Sequence, residues 1–531
     1  MLFRNFKALL LIRKSFGCFL DLARPHSFSA MQKNSPSAMG NTVSKRPLAL
    51  TLLLILLIGV FYLATLRQGH DWGDDFGMYI HHARNMVEGK SYEDTGYVFN
   101  ARRIIGPKTY PPIFPLILAP IYWGWGINLT AMKVEAILIF LLSLFAIYLS
   151  FKNDLHWPFL TGLIAVIGLN PQFWQFKDRI ASDFLFLLFL YLSFYFVHEA
   201  ERPNRPRRSQ ILYAVLISLS IFLACGTRSI GLILIPCLFI YYIFKSKKLG
   251  LAGIFTLFLT PVVIYLQESY SQIFSAYTGH FGINQTDVVL AYSKELIQYF
   301  SEFWINGYSK AFRLFLSATL IGLAIIGYVA RVRKKGLTCF ELFLLLYLPP
   351  FVLLPISLAL RFLIPIIPLM IFYSFFGIQV ISQLARQRQQ RVEKMMGIAV
   401  VIAILGSYAG QYTQVEYGPF QNGITKNEAQ QLFEYVRQEI GENEVVIFRK
   451  PRVLSLFTGR AAAVWHNSTE DEELWNFFRQ INASYLIVGP ENVEPYDQAF
   501  IRAFVDRNPA RFQQTFANAD FQVYRIVQDT T

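Results

Sequence analysis

The sequence predicts a mainly α-helical bundle that crosses a membrane about 11 times and ends in a small extracytoplasmic α/β domain. Three observations predict it. Only 16% of the 531 residues are charged, against about 25% in an ordinary soluble protein, and mean hydropathy is +0.37. Apolar runs of about 20 residues, the length that crosses a bilayer, recur between residues 47 and 413. Basic residues crowd every second loop between those runs, the asymmetry that fixes membrane topology.

Residues 1–46 are basic and contain one acid, Asp21, which suits a cytoplasmic tail. The first span, 47–66, carries no charge, and Lys45 and Arg46 before it place the N-terminus inside. The loop 67–130 then faces out. Further spans are expected near 131–151, 157–173, 183–198, 210–225, 229–244, 249–266, 312–330, 340–359, 361–381 and 396–413. The loops after even-numbered spans hold Lys152; Arg202, Arg205, Arg207 and Arg208; Lys245, Lys247 and Lys248; Arg331, Arg333, Lys334 and Lys335; and Arg386, Arg388, Arg391 and Lys394. The opposite turns hold few: Lys177 and Arg179 beside Asp178 and Asp183, then Arg228, then Arg361. The net charge of +14 is therefore assigned to topology and not to a nucleic-acid partner. A second outer loop is expected over 267–311. An odd number of spans leaves 415–531 outside. There, 426–440 has the period of an amphipathic helix, and 445–448, 461–465 and 485–489 read as short buried strands. The four cysteines, Cys18, Cys225, Cys237 and Cys339, avoid the long polar segments, so no disulfide framework is expected.

The stretch Asp71–Pro115 is longer than a connection between spans requires, which marks it as a working surface. Asp74 and Asp75 open it. An Asp before a helical pattern can cap the helix, here 76–89, and a carboxylate at the membrane boundary can take a proton from an acceptor. One can cap while the other works. Tyr79, Ala83 and Met86 share one side of that helix, where packing is expected. His81 and His82 are adjacent and point to different sides, unlike paired metal ligands. Arg102, Arg103 and Lys108 either snorkel at the bilayer surface or clamp a phosphate. Tyr110-Pro111-Pro112 breaks the chain before a helix at the membrane surface. Asp178 and Asp183 precede the fourth span, and Asp183 enters the apolar run, where a charge is costly and tends to be functional. Glu135 has a weaker version of that claim. Arg228 and Arg361, at outer span ends, receive a lipid phosphate or anchor the spans. Asp75 and Asp183 together can hold a divalent cation, and the sequence assigns no cofactor beyond that option.

The pattern DD-x3-Y-x3-A-x2-M-x2-G from Asp74 to Gly89, followed by YPPIFPLILAP from Tyr110, resembles the polytopic type C glycosyltransferases. It is most similar to their protein O-mannosyltransferase and lipid A aminoarabinose transferase branch and to the bacterial dolichyl-phosphate-mannose-type enzymes. SDFLFLLF at Ser182, TRSIGLILIP at Thr227 and RFLIPIIPLMIF at Arg361 extend the resemblance over roughly 47–415. It implies a sugar moved, with inversion, from a polyprenyl-phosphate donor to a protein, lipid or glycan acceptor at the outer face of a bacterial plasma membrane. It implies that Asp75, or Asp74 beside it, is the base, and that Asp183, or less well Asp178, is the second acid. Arg102, Arg103, Lys108, Arg228 and Arg361 then face the lipid phosphate, and Tyr79 and Tyr110 line the substrate site. The rival classes are a transporter or flippase and a non-catalytic assembly protein. A transporter calls for repeated halves and mid-membrane polar residues, and the sequence shows neither.

Overall fold

A computed structural model of the chain describes residues 45–103, 105–203, 205–246, 250–266, 268–269, 286–304, 309–353, 360–490 and 495–527. The expected tail, apart from its last two residues, and residues 267, 270–285 and 305–308 of the loop 267–311 lie outside them. The membrane portion runs α1 (Lys45–Ala64), α2 (Asp74–Glu88), β1 (Tyr97–Val98), α3 (Ile113–Trp125), α4 (Leu129–Phe151), α5 (Trp157–Gly168), α6 (Pro171–Phe176), α7 (Asp183–Ala200) and α8 (Arg207–Thr227). It continues through α9 (Leu234–Ser246), α10 (Leu251–Leu266), α11 (Thr286–Trp304), α12 (Lys310–Lys335), α13 (Cys339–Leu353), α14 (Ile367–Ser382) and α15 (Gln389–Tyr412). Short 3-10 turns at Ser229–Ile233 and Leu360–Leu363 lead into α9 and toward α14. Among the described residues six helices, α1, α4, α7, α8, α12 and α15, are long and apolar enough to cross a bilayer, and α3, α5, α9, α10, α13 and α14 are shorter apolar helices. The chain is an integral multi-pass membrane protein.

The helices meet through small and hydroxylated residues, as in a medium that rewards close packing more than burial. Gly327 of α12 lies against the backbone of Tyr373 and Gly377 of α14, where a side chain would collide with main-chain atoms. Ser143 and Ser150 of α4 donate to the carbonyls of Phe184 and Tyr191 of α7, at 3.0 and 2.8 Å. The two links advance together along both chains, so α4 and α7 run parallel, as two even-numbered spans would. At one end of the bundle Arg331 of α12, 1% exposed, pairs with Glu341 of α13 and, at 3.2 Å, with Asp154 after α4; Tyr373 also donates to Glu341.

The remaining chain forms α16 (Asn427–Glu439), β2 (Val445–Ile447), α17 (Pro451–Thr458), β3 (Ala461–Ala463), α18 (Asp471–Gln480), β4 (Ala483–Val488), α19 (Pro495–Arg507), β5 (Phe512–Ala517) and β6 (Gln522–Ile526). The helix and three strands expected here are present within a few residues. The sheet order is β1-β3-β2-β4-β6-β5, parallel from β1 to β4 and antiparallel thereafter. Two features differ from the expectation. The hairpin β5–β6 is additional, and β1, from the first loop, joins this sheet as an edge strand, pairing Tyr97 with Ala462 and Val98 with Ala463. Trp72 strengthens the same junction, with its ring against Phe433, Phe448 and Phe521. Within the second expected loop, 286–304 is the helix α11.

Candidate active site

α2 opens two residues earlier than expected. Its cap position is Gly73, whose N–H is held by Asp71 at 2.9 Å, so neither Asp74 nor Asp75 caps it. Both lie in the first turn, where the helix dipole favours negative charge. They face different partners. Oδ1 of Asp74 accepts the backbone N–H groups of Arg452 and Val453 at 3.1 and 3.4 Å, so it caps α17 from across the interface. Gly77 makes that approach feasible, because a Cβ there would lie 2.9 Å from the Arg452 carbonyl oxygen. Burial pushes the Asp74 carboxyl up to about 6, against Arg452 and Lys450 and with the aid of Asp75.

Asp75 is the better connected acid. Its Oδ2 accepts from Arg361 at 2.6 Å; its Oδ1 accepts from the Tyr110 hydroxyl at 2.6 Å and from Arg452 at 3.3 Å. Burial works to raise its pKa, but Arg361, Arg452 and Tyr110 together outweigh it and hold the carboxyl well below the usual range. Tyr110 is fixed on every side. Its N–H donates to His82 Nε2 at 3.2 Å, its carbonyl accepts from the Tyr92 hydroxyl at 2.7 Å, and its ring stacks on Tyr79 at 4.6 Å. Since His82 Nε2 accepts, Nδ1 carries the proton and donates to the Tyr92 carbonyl at 2.9 Å. Burial pushes His82 down to about 3, so the ring is neutral.

A second ion pair lies alongside. Asp183, in the first turn of α7, accepts from Arg228 at 2.6 Å, while its other oxygen is buried without a hydrogen-bond partner. Tyr79 bonds Ser182, the residue before Asp183 in the chain, hydroxyl to hydroxyl at 2.9 Å. Arg228 and Arg361 both approach the Phe362 ring, at 6.0 and 5.7 Å from its centre. The structure thus gathers Asp75, Tyr79, Tyr110, Asp183, Arg228 and Arg361. It does not bring the other basic candidates there. Arg102 pairs with Glu473 and Arg103 with Asp497, each at 2.7 Å, so both fasten the first loop to the C-terminal segment. Lys108 sits 5.7 Å from the Phe99 ring centre. Asp178 is spent on buried Lys177 at 2.6 Å, and Glu135 keeps one buried oxygen without a partner. The donor set does not fit a divalent cation: Asp75 and Asp183 each face a guanidinium, both His82 nitrogens are used, and among the described residues no three His, Cys, Asp or Glu converge.

Arg452 was not a sequence candidate. It sits at the second position of α17 with its side chain 1% exposed, and donates to Asp75, to the Tyr110 hydroxyl at 3.0 Å and to the Pro107 carbonyl at 3.0 Å. One signal hinted at it: an arginine in the first turn of a helix opposes the dipole and so needs acidic company.

No family model and no curated protein matches the sequence. Solved structures do. ArnT from Cupriavidus metallidurans, bound to undecaprenyl phosphate, matches with a TM-score of 0.52 at 12% identity, over 92% of this chain and 99% of that one. The archaeal oligosaccharyltransferase AglB from Archaeoglobus fulgidus, in complex with an inhibitory peptide and a dolichol-phosphate, matches with a TM-score of 0.59 at 12% identity, over 92% of this chain and 75% of that one. The chain has the fold of the polytopic type C membrane glycosyltransferases.

Proposed function

We propose that the protein transfers a sugar from a polyprenyl-phosphate donor to an acceptor hydroxyl or amine at the outer face of a bacterial plasma membrane. The observation that carries this reading is the pair of ion pairs, Asp75–Arg361 and Asp183–Arg228, set side by side across Phe362. Its ingredients match the reaction: a carboxylate to take a proton, and guanidiniums to receive the charge that grows on a departing phosphate. Topology supports the donor class, since the acids stand at the end opposite the basic loops, where nucleotide sugars are not ordinarily supplied. The fold supports it too, because ArnT and AglB were each solved with a polyprenyl-type phosphate.

In this reading Asp75 is the base and Asp74 is not, because Asp74 is committed to the N-terminus of α17. The acceptor loses its proton to Asp75 as its oxygen or nitrogen attacks the anomeric carbon from the face opposite the phosphate. The bond from that carbon to the phosphate oxygen breaks, the configuration inverts, and the lipid phosphate leaves toward Arg361 and Arg228. As Arg361 turns to the phosphate, Asp75 loses one of its two cations and becomes a stronger base. Asp183 orients Arg228. No step is assigned to a metal.

The test is transfer in proteoliposomes from a panel of polyprenyl-phosphate hexoses and pentoses. Asp75→Asn is expected to lose at least about a hundredfold in rate, the lower end of what general-base catalysis supplies. Asp74→Asn is expected to lose less. Full activity in both variants ends the reading.

A further inference from the structure

Arg452 belongs to the C-terminal segment, yet its guanidinium is buried among first-loop atoms. An arginine has donors only. Its Nη1 therefore donates to the Tyr110 oxygen, and the Tyr110 hydroxyl proton is left to point at Asp75 Oδ1, 2.6 Å away. The same Nη1 reaches Asp75 Oδ1 directly. Arg452 is itself fixed: Asp74 accepts its backbone N–H, Pro107 accepts its other terminal nitrogen, and its guanidinium stands 4.8 Å from the Tyr97 ring centre. Tyr97 lies on β1, the strand the first loop contributes to the C-terminal sheet.

We infer that Arg452 is a positioning residue for the catalytic carboxylate: it directs the Tyr110 proton onto Asp75 and supplies the second positive charge on that acid, so the C-terminal segment completes the active site. The catalytic meaning rests on Asp75 being the base proposed above; the control of its charge does not. The other groups facing Asp75 are Asp74 and Tyr79 on its own helix, Tyr110 from the loop before α3 and Arg361 before α14. Arg228 and Asp183 act from beyond Tyr79 and Arg361, and Lys450 from beyond Asp74. Of the two cations that touch Asp75, Arg361 is a third exposed and free to turn to a substrate, whereas Arg452 is enclosed. The division of work follows: Arg361 is exchangeable, and Arg452 is the permanent partner.

The test uses the full chain in nanodiscs and an apolar carbodiimide, which reacts with protonated carboxyls, with the modified peptides quantified by mass spectrometry between pH about 4 and about 8. Wild-type Asp75 is expected to stay unlabelled. Arg452→Gln is expected to label Asp75 at least about tenfold more at the acid end, the change that a one-unit rise produces. Arg452→Lys keeps a charge but cannot engage Tyr110, Asp75 and Pro107 at once, and should rise part of the way. The labelling profile of Asp183, which Arg452 does not touch, reports an intact fold. Unchanged Asp75 labelling in Arg452→Gln with the Asp183 profile retained overturns the inference. If Arg452→Gln loses the Asp183 profile, Arg452→Lys decides by the same criterion: a rise supports, no rise overturns. No sugar donor enters the measurement, so an inactive donor panel would sink the transferase reading and leave this result standing.

Discussion

His82 is the residue on which the geometry of Tyr110 turns, and its chemistry makes it testable by pH. In an unfolded chain a histidine titrates near pH ~6.5, whereas burial holds folded His82 down to about 3. As pH falls the unfolded state therefore binds the proton first. The stability that neutral His82 contributes is complete above pH about 6.5 and drains away toward 3, by up to about 1.4 kcal/mol per unit. His81, pushed by burial down to about 4, adds in the same direction. Asp74 acts oppositely: its raised value of about 6 means that the folded state holds a proton that the unfolded state has lost, so it favours folding most in acid and loses that effect as pH rises through 6. The two slopes overlap, so comparison with a variant isolates His82. Thermal inactivation midpoints of His82→Gln in detergent should fall less steeply than wild type between pH about 6.5 and 4. Equal slopes would show that His82 is not the sensor. Asp183, Arg228 and Arg361 were legible in the sequence because a charge at the end of an apolar run stands out, and Asp75 because it opens a loop longer than a connection requires. Arg452 was not, because an arginine in a segment of ordinary soluble composition has no apolar background to betray it.

Among elements, the contact of α2 with α17 decides whether the site assembles. It depends on Gly77: an added Cβ would come within 2.9 to 3.0 Å of Arg452 and Val453 backbone atoms, which cannot rotate aside. Gly77→Ala should force α17 outward, at a cost of about 1–3 kcal/mol, the range for overpacking a close contact. Limited proteolysis should then cut the 445–527 segment faster, with a fall in transfer; an unchanged cleavage pattern and thermal midpoint would show that the interface yields freely. Element boundaries were read to within a few residues where periodicity was strong, as in α16. β1 was not read: two residues, Tyr97 and Val98, are too few to show alternation, and they become a strand only because β3 offers its edge. The early start of α2 escaped for a related reason. A pair of aspartates reads as a cap when only the local chain is in view, whereas Asp74 serves a helix that begins at Pro451.

At the scale of the whole molecule, the two ends of the bundle have different chemistry. One end holds Arg331, Glu341, Asp154 and Lys335, with Glu199 between Arg202 and Arg205 and with His156 on Glu393. The other holds Asp75, Asp183, Arg228 and Arg361, with Arg452 of the C-terminal segment against Asp75. This division was legible in the sequence because a bilayer imposes it: apolar length sets the helices, and basic loops set their direction. The relative placement of loops was not legible, because the contacts between them are made by single side chains far apart in the chain. The division also yields a prediction on which the donor assignment depends. In a chain whose four native cysteines, Cys18, Cys225, Cys237 and Cys339, are replaced by alanine, Ser91→Cys should react with a membrane-impermeant maleimide on intact cells. Ser91 is exposed in the first loop. Lys334→Cys, exposed at the other end of α12, should react only after permeabilisation. The reverse pattern would place Asp75 on the face where nucleotide sugars are made, and the lipid-phosphate donor would lose its topological support even with every contact in the site unchanged.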